Sequence, residues 1–255
     1  MIKVRTEEEI ELLRENALIV SRTLAEVGKH VAPGVTTLQL NAIAEEFIRD
    51  NGAVPGFLGY GGFPYTLCTS VNEYVVHGFP SDYVLKEGDI VSVDCGTVYK
   101  GYYGDSAYTF ACGEISAADR DLLDTTEHSL YKGIEAAVSG CRTGDIGYAV
   151  QTFCEARGYS VVRELVGHGI GRDMHESPEV PNYGRRGHGV KLVEGNVICI
   201  EPMINEGVKD VYLADDGWGV YTADRKKSAH FEMTVVVRRG AAERLTTFDY
   251  IKDNK

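Results

Sequence analysis

The sequence predicts an α+β protein made of two similar halves, and three observations lead to this prediction. Apolar spacing together with helix start and stop signals predicts four helices, two near the start of the chain and two near its middle. Each pair of helices is followed by short apolar runs typical of β-strands. One ten-residue motif, ending in an acidic residue, occurs twice at an offset of 107 residues. The repeat predicts duplicated halves related by a pseudo-two-fold axis.

The first half begins with the two N-terminal helices. Thr6 and Glu9 form a capping-box pattern, and apolar residues at near-helical spacing extend the first helix to about Lys29. A second helix is expected from about Thr37 until Gly52 stops it. Glycine- and aromatic-rich turns then lead to predicted strands at residues 69–77, 89–94 and 102–110.

The second half repeats this order of elements. Ser116 and Asp119 indicate the start of a helix that ends near Gly140. The next helix is expected at 145–157, where Gly158 stops it. Strands are then predicted at residues 161–164, 196–201 and 228–237.

Composition bounds the class of protein. The 255 residues are 44% hydrophobic and 25% charged, which suits a soluble globular protein. No apolar run approaches the roughly 18 residues of a membrane span, and the charged, helix-like residues 1–14 do not resemble a secretory signal. No long linker divides the halves, so we expect a single domain over residues 1–255, with halves of about 1–115 and 116–255.

Charge and cysteine content narrow the partners and the compartment. A net charge of −12 repels phosphate backbones, which argues against a nucleic-acid-binding protein and against DNA as a partner. The six cysteines include no CxxC pair, so reduced thiols are expected rather than disulfides or a zinc cluster. These features predict a cytoplasmic protein that does not engage a membrane.

Four acidic residues lie where core strands are predicted. Asp94 and Glu201 end the two copies of the repeated motif, while Asp105 and Glu232 lie inside other strand-like stretches. One such acid alone is more simply a helix cap or a solvated loop residue. Four carboxylates in an apolar interior repel one another and need protons or cations. Two divalent cations would balance four charges, whereas a buried set of protonated acids with a purely structural role would be costly.

Histidines near glycines add candidate ligands. His168 and His175 lie in a glycine-rich segment, and His77 precedes Gly78, so the backbone can turn sharply or approach closely there. His230 is two residues from Glu232 and would share its strand face. Oxygen-rich ligation with one imidazole suits Mn, Fe, Co or Zn. Three other histidines are expected to serve packing or the surface: His30, His128 and His188.

These residues together resemble the type I methionine aminopeptidases, of the pita-bread metallopeptidase family, in their bacterial form. The resemblance covers nearly the whole chain, and its carriers occur in order at family spacing. They are Asn72-Glu-Tyr-Val-Val-His77-Gly, Val93-Asp94 with Asp105, Gly167-His168-Gly-Ile-Gly with His175 and Glu176, Ile200-Glu201-Pro202-Met203, and Phe231-Glu232. The resemblance implies the pita-bread (creatinase/aminopeptidase) fold, with antiparallel sheet inside and helices outside.

The resemblance also implies a dinuclear metal site. Asp105 and Glu232 would bridge the ions, and His77 and His175 would contact substrate. The implied ligands of the two divalent ions are Asp94, Asp105, His168, Glu201 and Glu232.

The implied reaction is hydrolysis of the N-terminal peptide bond, which releases initiator methionine from nascent proteins through a water or hydroxide that bridges the metals. Glu201 is expected to handle the proton, and His175 and His77 to stabilise the oxyanion or orient the peptide. The free α-amine would bind a metal. Contact with the ribosome is compatible with this activity although no motif indicates it, and a monomer is the default expectation.

Selectivity for methionine needs an apolar pocket of limited depth. Similar proteins build it where this chain has Phe57, Tyr60, Phe63, Cys68 and Trp218. Core packing explains Phe57 and Phe63 equally well. Trp218 lies between glycines in a loop, where packing alone explains a large apolar group less easily.

Some positions depart from the family's common residues. Many relatives have histidine in place of Met233 and Gly61, and an aromatic residue in place of Met174. None of these departures removes an implied ligand. They could change hydrogen bonding behind the ligands, metal preference or pocket width.

Other functions on the same fold remain alternatives. X-Pro-type aminopeptidases and creatinase-type hydrolases usually carry an N-terminal domain, for which His77 comes too early. Type II methionine enzymes carry an insertion between the equivalents of His175 and Glu201, for which 26 residues are too few. A non-catalytic peptide- or RNA-binding relative would typically have lost ligands.

Overall fold

A computed structural model describes residues 2–252. Its helices are α1 Glu7–Lys29, α2 Thr37–Asp50, α3 Ala117–Ala136, α4 Thr143–Glu155 and α5 Asp249–Lys252, and Tyr60–Gly62 forms a 3-10 turn. The first strands are β1 Val54–Pro55, β2 Leu67–Val71, β3 Tyr74–Val76, β4 Ile90–Tyr99, β5 Tyr102–Ala111, β6 Ser160–Val161, β7 Gly167–Gly169 and β8 Glu176–Val180. The others are β9 Val197–Ile200, β10 Met203–Asn205, β11 Val211–Leu213, β12 Val220–Thr222, β13 Ser228–His230, β14 Met233–Val236 and β15 Glu243–Arg244.

Three of the four long helices begin at a threonine or serine whose side chain caps the helix. The hydroxyl of Thr6 accepts from the N–H of Glu9 at 3.3 Å, and the Glu9 carboxylate accepts from the N–H of Thr6 at 3.1 Å, which confirms the predicted capping box. Thr36 and Gln39 form a second box at the start of α2. Ser116 caps α3 as predicted. Within residues 2–252, no helix is both long and apolar enough to cross a membrane.

Two antiparallel sheets form the centre of the molecule. In the first, β5 pairs with β4 along its whole length, and β1 and β2 also pair with β4. The second has the order β15-β14-β9-β7-β8. Smaller three-stranded sheets have the orders β13-β10-β6 and β11-β12-β3. Helix α1 packs its buried apolar face against β4 and β5, so the helices cover the sheets.

The turn of the repeated motif has the same hydrogen bond in both copies. The N–H of Lys86 donates to the Asp89 carboxylate at 2.9 Å, and the N–H of Val193 donates to the Asn196 side chain at 2.8 Å. In each copy the turn starts the strand that leads to the motif's terminal acid. The repeat in sequence is therefore also a repeat in local structure.

The two main sheets are joined along β5. The N–H of Glu232 donates to the carbonyl of Ala107 at 2.9 Å, and the Ser106 hydroxyl donates to the carbonyl of Glu232 at 2.6 Å. The Thr234 hydroxyl donates to the carbonyl of Asp105 at 2.8 Å. These contacts hold acids from the two sheets beside each other.

Some predicted strands were wrong in extent. The stretch 69–77 divides into β2 and β3 at a turn in which Asn72 has φ 54° and bonds to Asp89 through its side chain. The stretch 228–237 divides into β13 and β14, because Glu232 makes its backbone bond to Ala107 instead of continuing the ladder. The stretch 161–164 forms a strand only at its first residue.

Candidate active site

A cavity of about 190 Å³ is lined by residues of both main sheets, of the two smaller sheets and of the loops beside them. It brings together every residue predicted for the site: Asp94, Asp105, His168, Glu201, Glu232, His77, His175, Phe57, Tyr60, Phe63, Cys68 and Trp218. Acids and histidines form one part of its wall, and aromatic and sulfur-containing side chains form another. The arrangement can hold a charged group beside an apolar one.

The hairpin of β4 and β5 explains the eleven-residue spacing of two acids. Asp94 lies opposite Ala107, and Asp105 is two residues before Ala107 on the same strand. Residues two apart on a strand point to the same face, so Asp94 and Asp105 are diagonal neighbours. Glu201 follows the end of β9, and Glu232 lies in the break between β13 and β14.

Burial makes these carboxylates costly to ionise. Asp105 is 3% exposed and Glu232 is 2% exposed. Desolvation is the largest cause that raises the pKa of all four acids, and the charge of Asp105 raises the pKa of Glu201 further. The pKa of Asp94 rises to about 7. A group of acids held in this way favours bound cations.

The hydrogen bonds of the acids leave oxygens free for a cation. Asp94 Oδ1, Asp105 Oδ1 and Glu232 Oε1 are buried and have no hydrogen-bond partner. Within residues 2–252, no lysine or arginine nitrogen lies within 4.0 Å of the four carboxylates. The ring nitrogens at that range are His168 Nε2, beside Asp105 and Glu201, and His230 Nε2, beside Glu201. Buried carboxylate oxygens that lack both a hydrogen-bond partner and a nearby positive charge suit divalent metal ions as ligands.

His168 presents one ring nitrogen to the acids. Its Nδ1 lies 2.9 Å from the carbonyl of Gly169, so we assign the proton to Nδ1 as the donor of that bond. Nε2 then lies 3.8 Å from Asp105 Oδ2 and 3.5 Å from Glu201 Oε1. Burial, followed by the nearby His175, lowers the pKa of His168 to about 4. A neutral imidazole with its second nitrogen hydrogen-bonded is the usual form of a metal ligand.

His77 and His175 lie on the rim of the acidic centre. The His175 ring centroid is 4.4 Å from that of His168, and its Nδ1 lies 2.9 Å from the Tyr60 hydroxyl. His77 has φ 59°, and its ring contacts Trp218 edge-on with the centroids 6.4 Å apart. Burial lowers the pKa of both histidines, that of His77 to about 4. Both can therefore act as neutral hydrogen-bonding groups.

The apolar part of the cavity is a small cluster. Phe57, Phe63, Cys68 and Met174 are buried in it, and Trp218 packs against Phe63 with the centroids 5.2 Å apart. From the sequence, core packing and a pocket wall are alternative roles for these aromatic residues. In the structure they pack with one another and also line the cavity.

Comparison with known proteins places the chain among metallopeptidases. The model of metallopeptidase family M24 matches residues 11–239. The chain belongs to metallopeptidase family M24. Its relatives in this family include the methionine aminopeptidase of Clostridium acetobutylicum, 50% identical over 96% of this chain and 99% of the relative. Methionine aminopeptidase 1 of Bacillus subtilis is 48% identical over 96% of this chain and 99% of its own.

Solved structures of M24 proteins agree with the fold. The crystal structure of methionine aminopeptidase from Rickettsia prowazekii has a TM-score of 0.96 at 42% identity, covering 97% of this chain and all of that one. A prolidase from Pyrococcus horikoshii has a TM-score of 0.78 at 22% identity and shows the fold alone. These comparisons confirm the predicted resemblance and the pita-bread fold, and M24 membership with the buried cluster confirms the expectation of divalent metal ions.

Three residues to which the resemblance gave no role lie beside the predicted ligands or line the cavity. Cys199 Sγ is within 4.8 Å of ligand atoms of Asp105, His168 and Glu232, although burial raises the pKa of its thiol well above the ordinary value. Cys199 and Met203 are two residues before and after Glu201, so period-two alternation could have found both. His230 lines the cavity as suspected, with Nε2 3.7 Å from Glu201 Oε2.

Proposed function

We propose that this chain removes N-terminal methionine from peptides by metal-dependent hydrolysis. The observation that carries the proposal is that four buried carboxylates and His168 share one cavity with an apolar cluster. The acids suit divalent ions, and the cluster suits an unbranched apolar side chain such as methionine. The naming of its M24 relatives as methionine aminopeptidases supports the same substrate.

We assign five side chains as ligands of two divalent ions: Asp94, Asp105, His168, Glu201 and Glu232. The unpartnered oxygens of Asp94, Asp105 and Glu232 support this set. Glu232 belongs to two groups of side chains, and within each group the ligand atoms lie within 4.8 Å of one another. One group contains Asp105, His168 and Cys199, and the other contains Glu201 and His230. That shared position supports Glu232 as a bridging ligand, and we propose Asp105 as the other.

When bound, the two ions would polarise the scissile carbonyl and make an attacking water acidic near neutral pH. Glu201 is the acid we propose to accept the water's proton and pass it to the leaving amine, because it is less enclosed than Asp105 or Glu232. His175 lies at the exposed rim, where its ring can donate to the developing oxyanion. His77, beside Trp218, can orient the peptide.

We further propose the apolar cluster as the methionine pocket. Phe57, Phe63 and Cys68 are each less than 9% exposed, so a side chain that enters would be surrounded by apolar atoms. Trp218 and Tyr60 are more exposed and would form its entrance. The shared cavity of about 190 Å³ admits a side chain of limited size.

The proposal extends to cellular context and chain organisation. Six free cysteines suit the reducing cytoplasm. Nascent chains are the proposed substrates, with the ribosome as a partner and the protein acting as a monomer. We propose one catalytic domain over residues 1–255 with halves of about 1–115 and 116–255, which the matching turns of the repeated motif support.

The first experiment is release of free methionine from a Met-Ala-Ser peptide by purified protein. Chelation should abolish release, and adding back Mn²⁺, Fe²⁺, Co²⁺ or Zn²⁺ one at a time should restore it with at least one ion. A protein that, when loaded with metal, leaves this peptide intact but cleaves an X-Pro peptide would contradict the substrate. Cleavage of neither peptide despite two bound ions would contradict the catalytic role.

The ligand set has its own test in metal content. Asp105→Ala should lose at least one of the two ions after dialysis, measured by atomic emission, because it removes a bridging carboxylate. Asp82→Ala, which removes an exposed carboxylate, is the matched control and should keep both ions. Two ions bound to Asp105→Ala with unchanged affinity would refute the assignment.

A further inference from the structure

His230 has an unused nitrogen aimed into the metal centre. The residue is 2% exposed, and its Nε2 is buried without a hydrogen-bond partner. Glu201 Oε2 lies 3.7 Å from that nitrogen. A buried polar atom without a partner is costly unless it serves a ligand or a neighbouring polar group.

The backbone of His230 is hydrogen-bonded through both its N–H and its carbonyl. A single hydroxyl, that of Thr109, donates to the carbonyl of His230 at 2.7 Å and accepts from its N–H at 3.0 Å. His230 is also paired with Met203 on β10. Thr109 lies on β5 in the first half of the chain, so contact between the two halves fixes the origin of the imidazole.

The two oxygens of Glu201 face different histidines. Oε1 is 3.5 Å from Nε2 of His168, and Oε2 is 3.7 Å from Nε2 of His230. Among residues 2–252, no other histidine, lysine or arginine lies within 4.0 Å of this carboxylate. A glutamate has several rotatable bonds, so its orientation depends on what these two neighbours provide.

We propose that His230 is a positioning residue for Glu201, donating Nε2–H to Oε2 and keeping Oε1 directed to the side of His168. The proposal rests on the metal ligation assigned above to Glu201 and His168. The separation of 3.7 Å exceeds the roughly 3.2 Å of a normal N–H···O bond, so the carboxylate must move a few tenths of an ångström toward the imidazole. Hydrogen bonds of this kind commonly shorten when a site is filled.

The test is the affinity of metal-free protein for Mn²⁺, measured by isothermal titration calorimetry. His230→Ala should weaken Mn²⁺ binding by about 10- to 100-fold, the usual effect of removing a partner of a metal ligand. His230→Gln should recover most of that loss because its amide can still donate to Glu201. His188→Ala, which removes an exposed imidazole that does not line the cavity, is the control and should bind as the wild type does.

Two results would overturn the positioning role. Wild-type affinity in His230→Ala would show that Glu201 does not need the imidazole, and a His230→Gln variant as weak as His230→Ala would show that the ring nitrogen itself binds the ion. Thr109→Val tests separately whether the Thr109 hydroxyl matters, because the variant keeps His230 but lacks the hydroxyl that bonds to its backbone. It should weaken Mn²⁺ binding less than His230→Ala, and unchanged binding would refute the anchoring.

Failure of this inference and failure of the proposed function give different results. Mn²⁺ binding needs no peptide, so the comparison of variants does not depend on the substrate. Wild-type protein that binds two Mn²⁺ ions but releases no methionine would refute the function and leave the role of His230 intact.

Discussion

Asp94→Asn should stabilise the metal-free protein, and more so as the pH rises. In the folded protein, burial is the main cause that raises the pKa of Asp94 from 3.8 to about 7. The fold therefore binds this proton more tightly than the unfolded chain does. The resulting stability is fully present below about pH 4 and is lost as the pH rises toward 7.

The difference between about 7 and 3.8 corresponds to about 4 kcal/mol, at 1.36 kcal/mol for each pKa unit. Asparagine cannot ionise, so the variant avoids this cost. Between pH 4.5 and pH 8 the expected change is about 3 kcal/mol of this total. The rest is already lost at pH 4.5, which lies above the pKa of Asp94 in the unfolded chain.

The assay is urea unfolding of chelator-treated protein at pH 4.5 and pH 8, monitored by circular dichroism. The unfolding free energy of Asp94→Asn relative to wild type should rise by about 3 kcal/mol between the two pH values. Asp82→Asn replaces an exposed acid, so its unfolding free energy should stay close to that of wild type at both pH values. If Asp94→Asn and wild type differ in unfolding free energy by the same amount at both pH values, burial does not raise the pKa of Asp94 as stated. Saturating Mn²⁺ should reverse the order at pH 8, because wild type keeps the ligand that the variant lacks.

Three further substitutions test one ion pair of the fold and two side chains of the site. Arg5→Ala should lower the unfolding free energy by about 3 kcal/mol in urea titrations, because it leaves the largely buried Glu176 carboxylate without its ion pair; a loss below 1 kcal/mol would contradict this. Phe63→Ala should lower kcat/KM for Met-Ala-Ser by roughly tenfold or more, because about 1.5–3 kcal/mol of apolar contact is lost; an unchanged value would exclude Phe63 from the pocket. Tyr60→Phe removes the hydroxyl 2.9 Å from His175 Nδ1 and should lower kcat more than it changes KM, as steady-state kinetics would show, whereas a change confined to KM would contradict the orienting role.

The site depends on patterns that are readable in sequence to different degrees. The hairpin that joins β4 to β5 is local, so the positions of Asp94 and Asp105 follow from strand periodicity and a short turn. The repeated motif likewise places Glu201 at the end of a second strand. For the proposed methionine pocket, composition alone could not separate core packing from a cavity wall, and the structure shows Phe63 both packed in a cluster and lining the cavity.

The helices, the repeated motif and the strand positions of the four acids can be predicted from the sequence, because each is a pattern of residues close together in the chain. The position at which the stretch 228–237 breaks depends on tertiary contacts, since the N–H of Glu232 bonds to Ala107 on the other sheet. The folded chain also brings His230 beside Glu201, because the hydroxyl of Thr109, in the first half of the chain, holds the backbone of His230. Contacts between residues more than one hundred positions apart leave no local periodicity, so only the folded chain reveals them.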